Sequence, residues 1–307
     1  MSVQDSRSDY ARRMHRVLEH IDRHLDQPLD LETLSGVAHF SAFHFHRLFS
    51  AWMGETLADY VRRRRLEIGA LRLATQPSSS VLRIAIAVGF NSGEAFTRAF
   101  RARFNTSPTA WRSSHRKNRQ AKRKDDQDAT LRSPHHEASF TPTREALMKV
   151  TLIDRPATHV VYLRHVGPYG EPVSTFWQES VYPWMVTNDL LGCPRYGISH
   201  DDPSITSAER CRYDACVEVA PGWQGAGTYH ETTMPGGRCA VTRFEGTVDE
   251  INAAWASLLG DWIPSSGLEL DTRPFFEYYG PGTSYDPATG VFDCDLCIPV
   301  ARRLPAP

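Results

Sequence analysis

Between residues 85 and 112 the apolar and small residues fall into an order that few local structures accommodate. Ile84, Ala85 and Val88 give a short helix one inward side, and Gly89 supplies a backbone free to turn sharply. Ser92 stands where the cap of a second helix belongs. Phe96, Ala99, Phe100 and Phe104 then recur at helical spacing, so this second helix buries one stripe and leaves a polar face outside. Two helices joined by a glycine turn make a helix-turn-helix, whose second helix fits the major groove of DNA.

A second copy precedes it. Asp30 caps a helix with Leu31, Leu34 and Ala38 on one face, the chain turns at His39 and Phe40, and Ser41 caps again. Phe45, Leu48, Phe49 and Trp52 form the next stripe, and His46-Arg47-Leu48-Phe49 corresponds to Thr97-Arg98-Ala99-Phe100. Residues 57–74 read as one long helix that contains the basic run Arg62 to Arg65. Met14, Val17, Leu18, Ile21 and Leu25 mark an earlier amphipathic helix closed by Pro28. The reading is a compact all-α domain over residues 8–114.

This pattern closely resembles the tandem helix-turn-helix domain of the AraC/XylS family of transcription regulators. The second copy, Ala85, Gly89-Phe90, Ser92, Phe96, Arg98, Phe100-Arg101, Phe104, Pro108 and Trp111-Arg112, holds nearly every signature position. Asn105 stands where the family usually has glycine, and asparagine is the next residue able to take a left-handed cap. The resemblance implies double-stranded DNA bound through two successive major grooves, and RNA polymerase as a partner.

Charge separates the chain into two parts. Residues 1–124 hold 22 Lys and Arg against 11 Asp and Glu, a net of +11, and residues 125–307 hold 13 against 25, a net of −12. The near-neutral total of −1 hides a basic half suited to a polyanion and an acidic half that avoids one. The first residues lack the apolar core of a secretory signal, and no apolar run is long enough to span a bilayer, so a cytoplasmic protein without membrane contact is expected. Six cysteines fit that compartment as reduced thiols. Cys294 and Cys297 have CxxC spacing, but without a second matching pair they read as strand thiols and not as zinc ligands. No cofactor and no metal are implied.

Residues 115–146 are charged and poor in apolar side chains, as in a flexible linker. Beyond them the period changes. Strands are expected near residues 150–152, 159–163, 195–198, 213–219, 272–279 and 291–300, with helices over 172–191 and 248–262. Ala240-Val241-Thr242-Arg243-Phe244-Glu245-Gly246 is similar to Val161-Tyr162-Leu163-Arg164-His165-Val166-Gly167, and Trp255 falls about where Trp177 does. The expected fold is therefore multidomain. An all-α tandem helix-turn-helix domain precedes an α+β domain of two pseudo-repeated strand-helix-strand-strand units.

Residues 147–301 resemble the GyrI-like effector-binding domain. The likeness rests on Arg164-His165-Val166-Gly167-Pro168-Tyr169, Asp201-Asp202-Pro203, Gly236-Gly237 and Pro274-Phe275-Phe276-Glu277-Tyr278-Tyr279. It implies a small-molecule effector, and a homodimer through this domain stays open.

For the first recognition helix the resemblance places base contacts at Phe43, His46 and Arg47, beside Ser41 and Ser50. Arg47 suits a bidentate contact to guanine, His46 a base edge and Phe43 a thymine methyl. The second helix offers Glu94 and Arg98 outward, among small residues. Its expected task is to hold the backbone through Ser92, Arg98 and Arg101 while the first reads sequence. In the second half, strand alternation puts Phe275, Glu277 and Tyr279 on one face. A carboxylate between aromatic rings suits a lipophilic cation. The same periodicity is compatible with Phe275 and Tyr279 as ordinary core and Glu277 as an exposed strand residue. The resemblance places an effector-binding glutamate at Glu277, with Tyr162, Tyr169, Trp177 and Trp223 as candidate neighbours. Two other readings remain. One is a GyrI-like domain that binds a protein partner. The other is a hydrolase of small electrophiles with Glu277 as base or nucleophile, although no histidine partner can be assigned and a non-enzyme is expected.

Overall fold

The structure is a computed structural model that describes residues 3–117, 149–203, 205–271 and 273–302. Most of the stretch read as a linker, residues 118–146, lies outside the described residues. Contacts divide the chain into two compact units, Met1–Leu73 with Pro77–Trp111, and Ala74–Gln76 with Arg112–Pro307.

The first unit is helical: α1 Val3–Arg23, α2 Leu31–Ala38, α3 Ala42–Met53, α4 Leu57–Thr75, α5 Val81–Ala87, α6 Gly93–Phe104, and α7 over residues 108–117. Side-chain oxygens start six of these helices, Thr56 accepting from the Asp59 N–H and Ser107 from Ala110 ahead of α4 and α7. Asp30 accepts from the Thr33 N–H, Ser41 from His44, Ser80 from Arg83 and Ser92 from Ala95. Left-handed residues end three, namely His39 (φ 53°), Gly54 (φ 67°) and Asn105 (φ 52°). Gly89 (φ 85°) makes the second turn, and a Cβ there would collide with the Leu25 carbonyl.

Each helix pair packs on α4, which spaces them. Phe49 meets Tyr60 edge-on at 5.5 Å in the core of the first motif. In the second, Gly69 leaves room for Phe96, whose ring would lie 2.8 Å from an added Cβ. Phe96, Phe100 and Phe104 continue as a ladder of rings that Trp111 closes, and the Trp111 indole N–H donates to the Ala70 carbonyl at 3.2 Å.

The second unit is strand-rich. Its strands are β1 Thr151–Arg155, β2 Thr158–Val166, β3 Arg195–Ser199, β4 Arg212–Glu218, β5 His230–Met234, β6 Gly237–Gly246, β7 Leu268–Leu270, β8 Phe275–Tyr279 and β9 Phe292–Arg302. They form an antiparallel sheet in the order β1-β6-β9-β8-β3-β4-β2-β5, with β7 paired to the end of β9. Two helical arms interrupt the strand sequence. One runs through α8 Glu171–Phe176, a π turn Trp177–Val181 and α9 Tyr182–Thr187. The other runs through α10 Val248–Ser257, a π turn Leu258–Trp262 and α11 Ile263–Ser265.

Strand alternation sorts the side chains to two faces. Val161, Tyr213, Ala215 and Val217 pack with Val173, Val181 and Met185 of the first arm. Tyr162, Tyr196, Ile198, Cys216, Cys239, Phe276 and Cys297 pack on the reverse face. Cys294 and Cys297 are three residues apart along β9, so they leave it on opposite faces.

Candidate functional site

On α3 the outward face carries Phe43, which is 69% exposed, with His46 and Arg47 also exposed. The Arg47 guanidinium lies 5.8 Å from the Phe43 ring centre, so the two present one surface. Ser41 is exposed, and its hydroxyl caps the helix by accepting from the His44 N–H and meets the His44 ring nitrogen at 3.0 Å. Ser50 departs from the expected surface, because its hydroxyl is buried and has no hydrogen-bond partner. Ser50 follows Phe43, His46 and Arg47 at helical spacing, so it shares their face and only its hydroxyl is withdrawn.

On α6, Glu94, Arg98 and Arg101 are exposed, and with Gly93 and Thr97 they line one shallow concavity. Thr97 was not anticipated; it lies one turn after Gly93. The Ser92 hydroxyl accepts from the Ala95 N–H at 3.1 Å, which engages it in its own helix. Among the described residues, Arg47, Arg98 and Arg101 carry no ion pair. The run on α4 behaves differently. Arg63 pairs with Glu55 and Glu67, Arg64 with Asp22 and Glu67, and Arg65 donates to the Leu25 and Gln27 carbonyls. Of these four arginines only Arg62 is exposed, so the run is mostly internal scaffolding.

In the second unit the site forms at the middle of the sheet, where β3 and β8 pair Gly197 with Glu277. Glu277 is buried, and its Oε2 accepts from the Tyr213 hydroxyl at 2.9 Å and the Tyr279 hydroxyl at 3.0 Å. The Trp255 indole of α10 lies near this carboxyl and favours its charged form. Trp177 of the other arm donates its indole N–H to the Tyr213 oxygen at 3.2 Å and packs 6.2 Å from the Tyr279 ring. Trp255 stacks on Phe275 at 6.1 Å, so an indole from each arm and rings from β4 and β8 surround one acid.

Gly197 makes this possible. A Cβ there would collide with both the Tyr213 hydroxyl and the Glu277 carboxylate. Burial raises the Glu277 carboxyl above its ordinary value, against the pull of its hydrogen-bond donors. Burial and the neighbouring Glu277 also push Tyr213 and Tyr279 well above the usual phenol range, which keeps both as donors. Among the described residues, no basic side chain pairs with Glu277.

The expected neighbours divide. Phe275, Tyr279 and Trp177 belong to this group. Tyr169 reaches it only through Tyr213, whose ring lies 6.3 Å away. Its hydroxyl donates to the Arg212 carbonyl at 2.7 Å and accepts from the Asp201 N–H. Tyr162 lies on the reverse face, paired with Cys216 and packed on His230. The register of β2 turns Val161 to the helical arms and therefore turns Tyr162 away. Trp223 packs on Trp184 and Tyr229, at 6.1 and 5.2 Å, in a cluster at the end of α9. Sequence reading passed over Tyr213, Trp255 and Gly197. Tyr213 lies in an expected strand, but only strand pairing shows which strand faces Glu277.

Residues 148–301 match the family described as the GyrI-like small molecule binding domain, and residues 34–114 match a helix-turn-helix domain family. The chain belongs to the GyrI-like family. Transcriptional regulator Rob of Salmonella typhimurium is 28% identical over 299 residues, covering 92% of this chain and 96% of its own. The right origin-binding protein of Escherichia coli is 27% identical over 295 residues, with the same coverage. Regulatory protein SoxS of E. coli is 35% identical over 92 residues, 30% of this chain and 85% of its own. The GyrI-like protein is accordingly an AraC/XylS-type DNA-binding transcription regulator that joins a helix-turn-helix domain to a small-molecule-binding domain. No helix among the described residues is long and apolar enough to cross a membrane.

Proposed function

We propose that the effector is a lipophilic cation held over Glu277. The observation that carries this reading is a buried carboxylate without a basic partner among the described residues, enclosed by Tyr213, Tyr279, Trp177, Trp255 and Phe275. A cation entering there gains the charge partner that the protein withholds, and ring faces add attraction and apolar area. Titration with tetraphenylphosphonium, followed by calorimetry, tests it. Glu277→Gln, which keeps the volume and removes the charge, is expected to weaken binding at least about tenfold. Undiminished binding by this variant would overturn the assignment.

DNA recognition is divided in this reading. The first recognition helix reads bases through Phe43, His46 and Arg47, and the second grips phosphates through Arg98 and Arg101. Ser41, Ser50 and Ser92 leave the contact set, since each hydroxyl is capping or buried. The two recognition helices of one chain address successive grooves, with RNA polymerase as the downstream partner in the cytoplasm, whether or not the second unit dimerises. The domains run over residues 8–114 and 147–301, with 115–146 between them.

We also infer that the second unit is an internal duplication. This rests on the sheet order, in which β6-β9-β8 mirrors β2-β4-β3 about the Gly197–Glu277 pair. Each half also lends its first strand to the other, since β1 pairs with β6 and β5 with β2. Both arms pass through a π turn before a proline-bearing helix. Counted from those turns, Leu258 is the counterpart of Trp177, and Trp255 lies one turn earlier. The protein is read as a sensor and not an enzyme. Turnover of a small electrophile that disappears in Glu277→Gln would instead establish a hydrolase.

A further inference from the structure

We infer that Gln178 and Tyr285 form a latch that closes the rim of the Glu277 site. This rests on reading that site as the effector site. The loop between β8 and β9, residues 280–291, is held by its own turn and by the start of β9. The Ser284 N–H and hydroxyl donate to Asp293 at 2.5 and 2.7 Å, and the Asp286 carboxylate accepts from the Ala288 N–H and the Thr289 hydroxyl. Asp286 and Val291 close the turn through their backbones at 2.8 Å, and Tyr285 pairs with Phe292. A loop tied in this way stays with β9, whose Asp293 also pairs with Arg243 of β6.

Two side-chain contacts join it to the rest of the sheet and arms. Arg195 of β3 donates to the Thr283 hydroxyl at 3.2 Å, and Gln178 donates its amide N–H to the Tyr285 hydroxyl at 3.3 Å. The first is half-buried at the base, whereas both partners of the second are exposed at the tip. Each partner is also adjacent to a group that holds Glu277. Gln178 follows Trp177, the donor to Tyr213, and lies in a π turn, a helical form common at functional sites. Tyr285 pairs with Phe292, whose ring lies 6.2 Å from Tyr279, the second donor to Glu277. The latch therefore joins the first arm to the loop beside two of the groups that hold Glu277. Releasing this exposed hydrogen bond removes a tie between the first arm and a loop that stays on the sheet.

Cys294 gives a readout that needs no effector. It is buried on the Glu277 face of β9, whereas Cys297 is buried on the reverse face. Labelling of the full chain by N-ethylmaleimide, mapped by peptide mass spectrometry, compares the two thiols. Loss of a neutral exposed hydrogen bond changes an opening equilibrium by about 2- to 10-fold. Tyr285→Phe and Gln178→Ala are each expected to speed Cys294 labelling by that factor and leave Cys297 unchanged. Stopped-flow mixing with tetraphenylphosphonium is expected to show association and dissociation both faster by a similar factor.

Unchanged Cys294 labelling, or Cys294 and Cys297 accelerated together, would overturn the latch. If the wild-type chain binds no tetraphenylphosphonium while Cys294 alone responds to the two variants, the cation assignment fails and the latch stands.

Discussion

Glu277 places its charge where water does not reach, and its titration should therefore be visible in both binding and stability. Its carboxyl binds a proton more tightly in the folded chain than the ordinary value of 4.5 for an unfolded one. Across the interval above 4.5, the folded state holds more protons than the unfolded state, so raising the pH lowers stability. This contribution is complete below the unfolded value and is lost as pH rises through the folded value. Glu277→Gln is expected to abolish that slope, measured as urea midpoints from pH 4 to 8. Cation affinity should follow the opposite course in the wild type, rising over the same interval as the carboxylate forms. An identical pH slope in wild type and variant would show that another group titrates.

Gly197 makes a second residue-scale prediction. Because its missing side chain leaves the space filled by the Tyr213–Glu277 bond, Gly197→Ala should separate the pair. Overpacking at such a position costs about 1–3 kcal/mol. Thermal unfolding is expected to show that loss, together with weakened tetraphenylphosphonium binding. Full cation affinity in a destabilised Gly197→Ala chain would detach the two effects. Nothing in the sequence singles out Gly197 from the other glycines, since the demand on it comes from strands that pair with β3 in space. Alternation along one strand groups Glu277 with Phe275 and Tyr279 but leaves its burial open, so the family resemblance picks it out, whereas Tyr162 faces away because its own strand's face depends on register.

At the scale of elements, the helix caps and stripes were the most legible feature, since each depends on residues within a few positions. Asp30, Ser41 and Ser92 cap as expected from their spacing, and Asn105 takes the left-handed turn. The arginine run on α4 shows what spacing cannot supply. Four consecutive basic residues point around the whole helix; Glu67 meets Arg63 and Arg64 at helical spacing, whereas Asp22 and Glu55 are brought to them by packing. Arg64→Ala would leave Asp22 and Glu67 without their shared partner in a buried setting, at a cost of about 3–5 kcal/mol. Denaturant unfolding checks this, and a loss below about 1 kcal/mol would place Arg64 among surface pairs.

The two recognition helices differ in what they can do to DNA. Arg47→Ala is expected to cost about 1–3 kcal/mol on a preferred site and relax discrimination at one base pair. Arg98→Ala should weaken preferred and unrelated sites alike, and lower the salt dependence of binding by about one phosphate contact. Competition binding across single-base variants at several salt concentrations separates the two outcomes. Equal loss of sequence preference in both variants would end the proposed division.

At the scale of the whole molecule, the charge split between halves was plain in the sequence, whereas the order of strands in the second unit was not. Alternation tells which residues share a face but not which strands are neighbours, and the exchange of β1 and β5 between halves leaves no local mark. In the helical unit, by contrast, α4 settles the arrangement. Phe49 packs on Tyr60, Phe96 fits over Gly69, and Arg65 and Gly89 meet beside Leu25, so both motifs are seated on one rigid spacer. In the proposed reading such a chain is expected to address two grooves at one fixed separation, with a single copy on an asymmetric site. Successive major grooves on one side of the duplex lie about 10 base pairs apart. Inserting five base pairs between the two half-sites turns the second groove to the far side of the helix, whereas inserting ten restores its direction at twice the distance. Both insertions are therefore expected to reduce affinity to that of one recognition helix, at least about tenfold, as read by gel shift with the complex mass giving one chain per duplex. A flexible join between the motifs would tolerate the ten-base-pair insertion, and that result would contradict the rigid clamp.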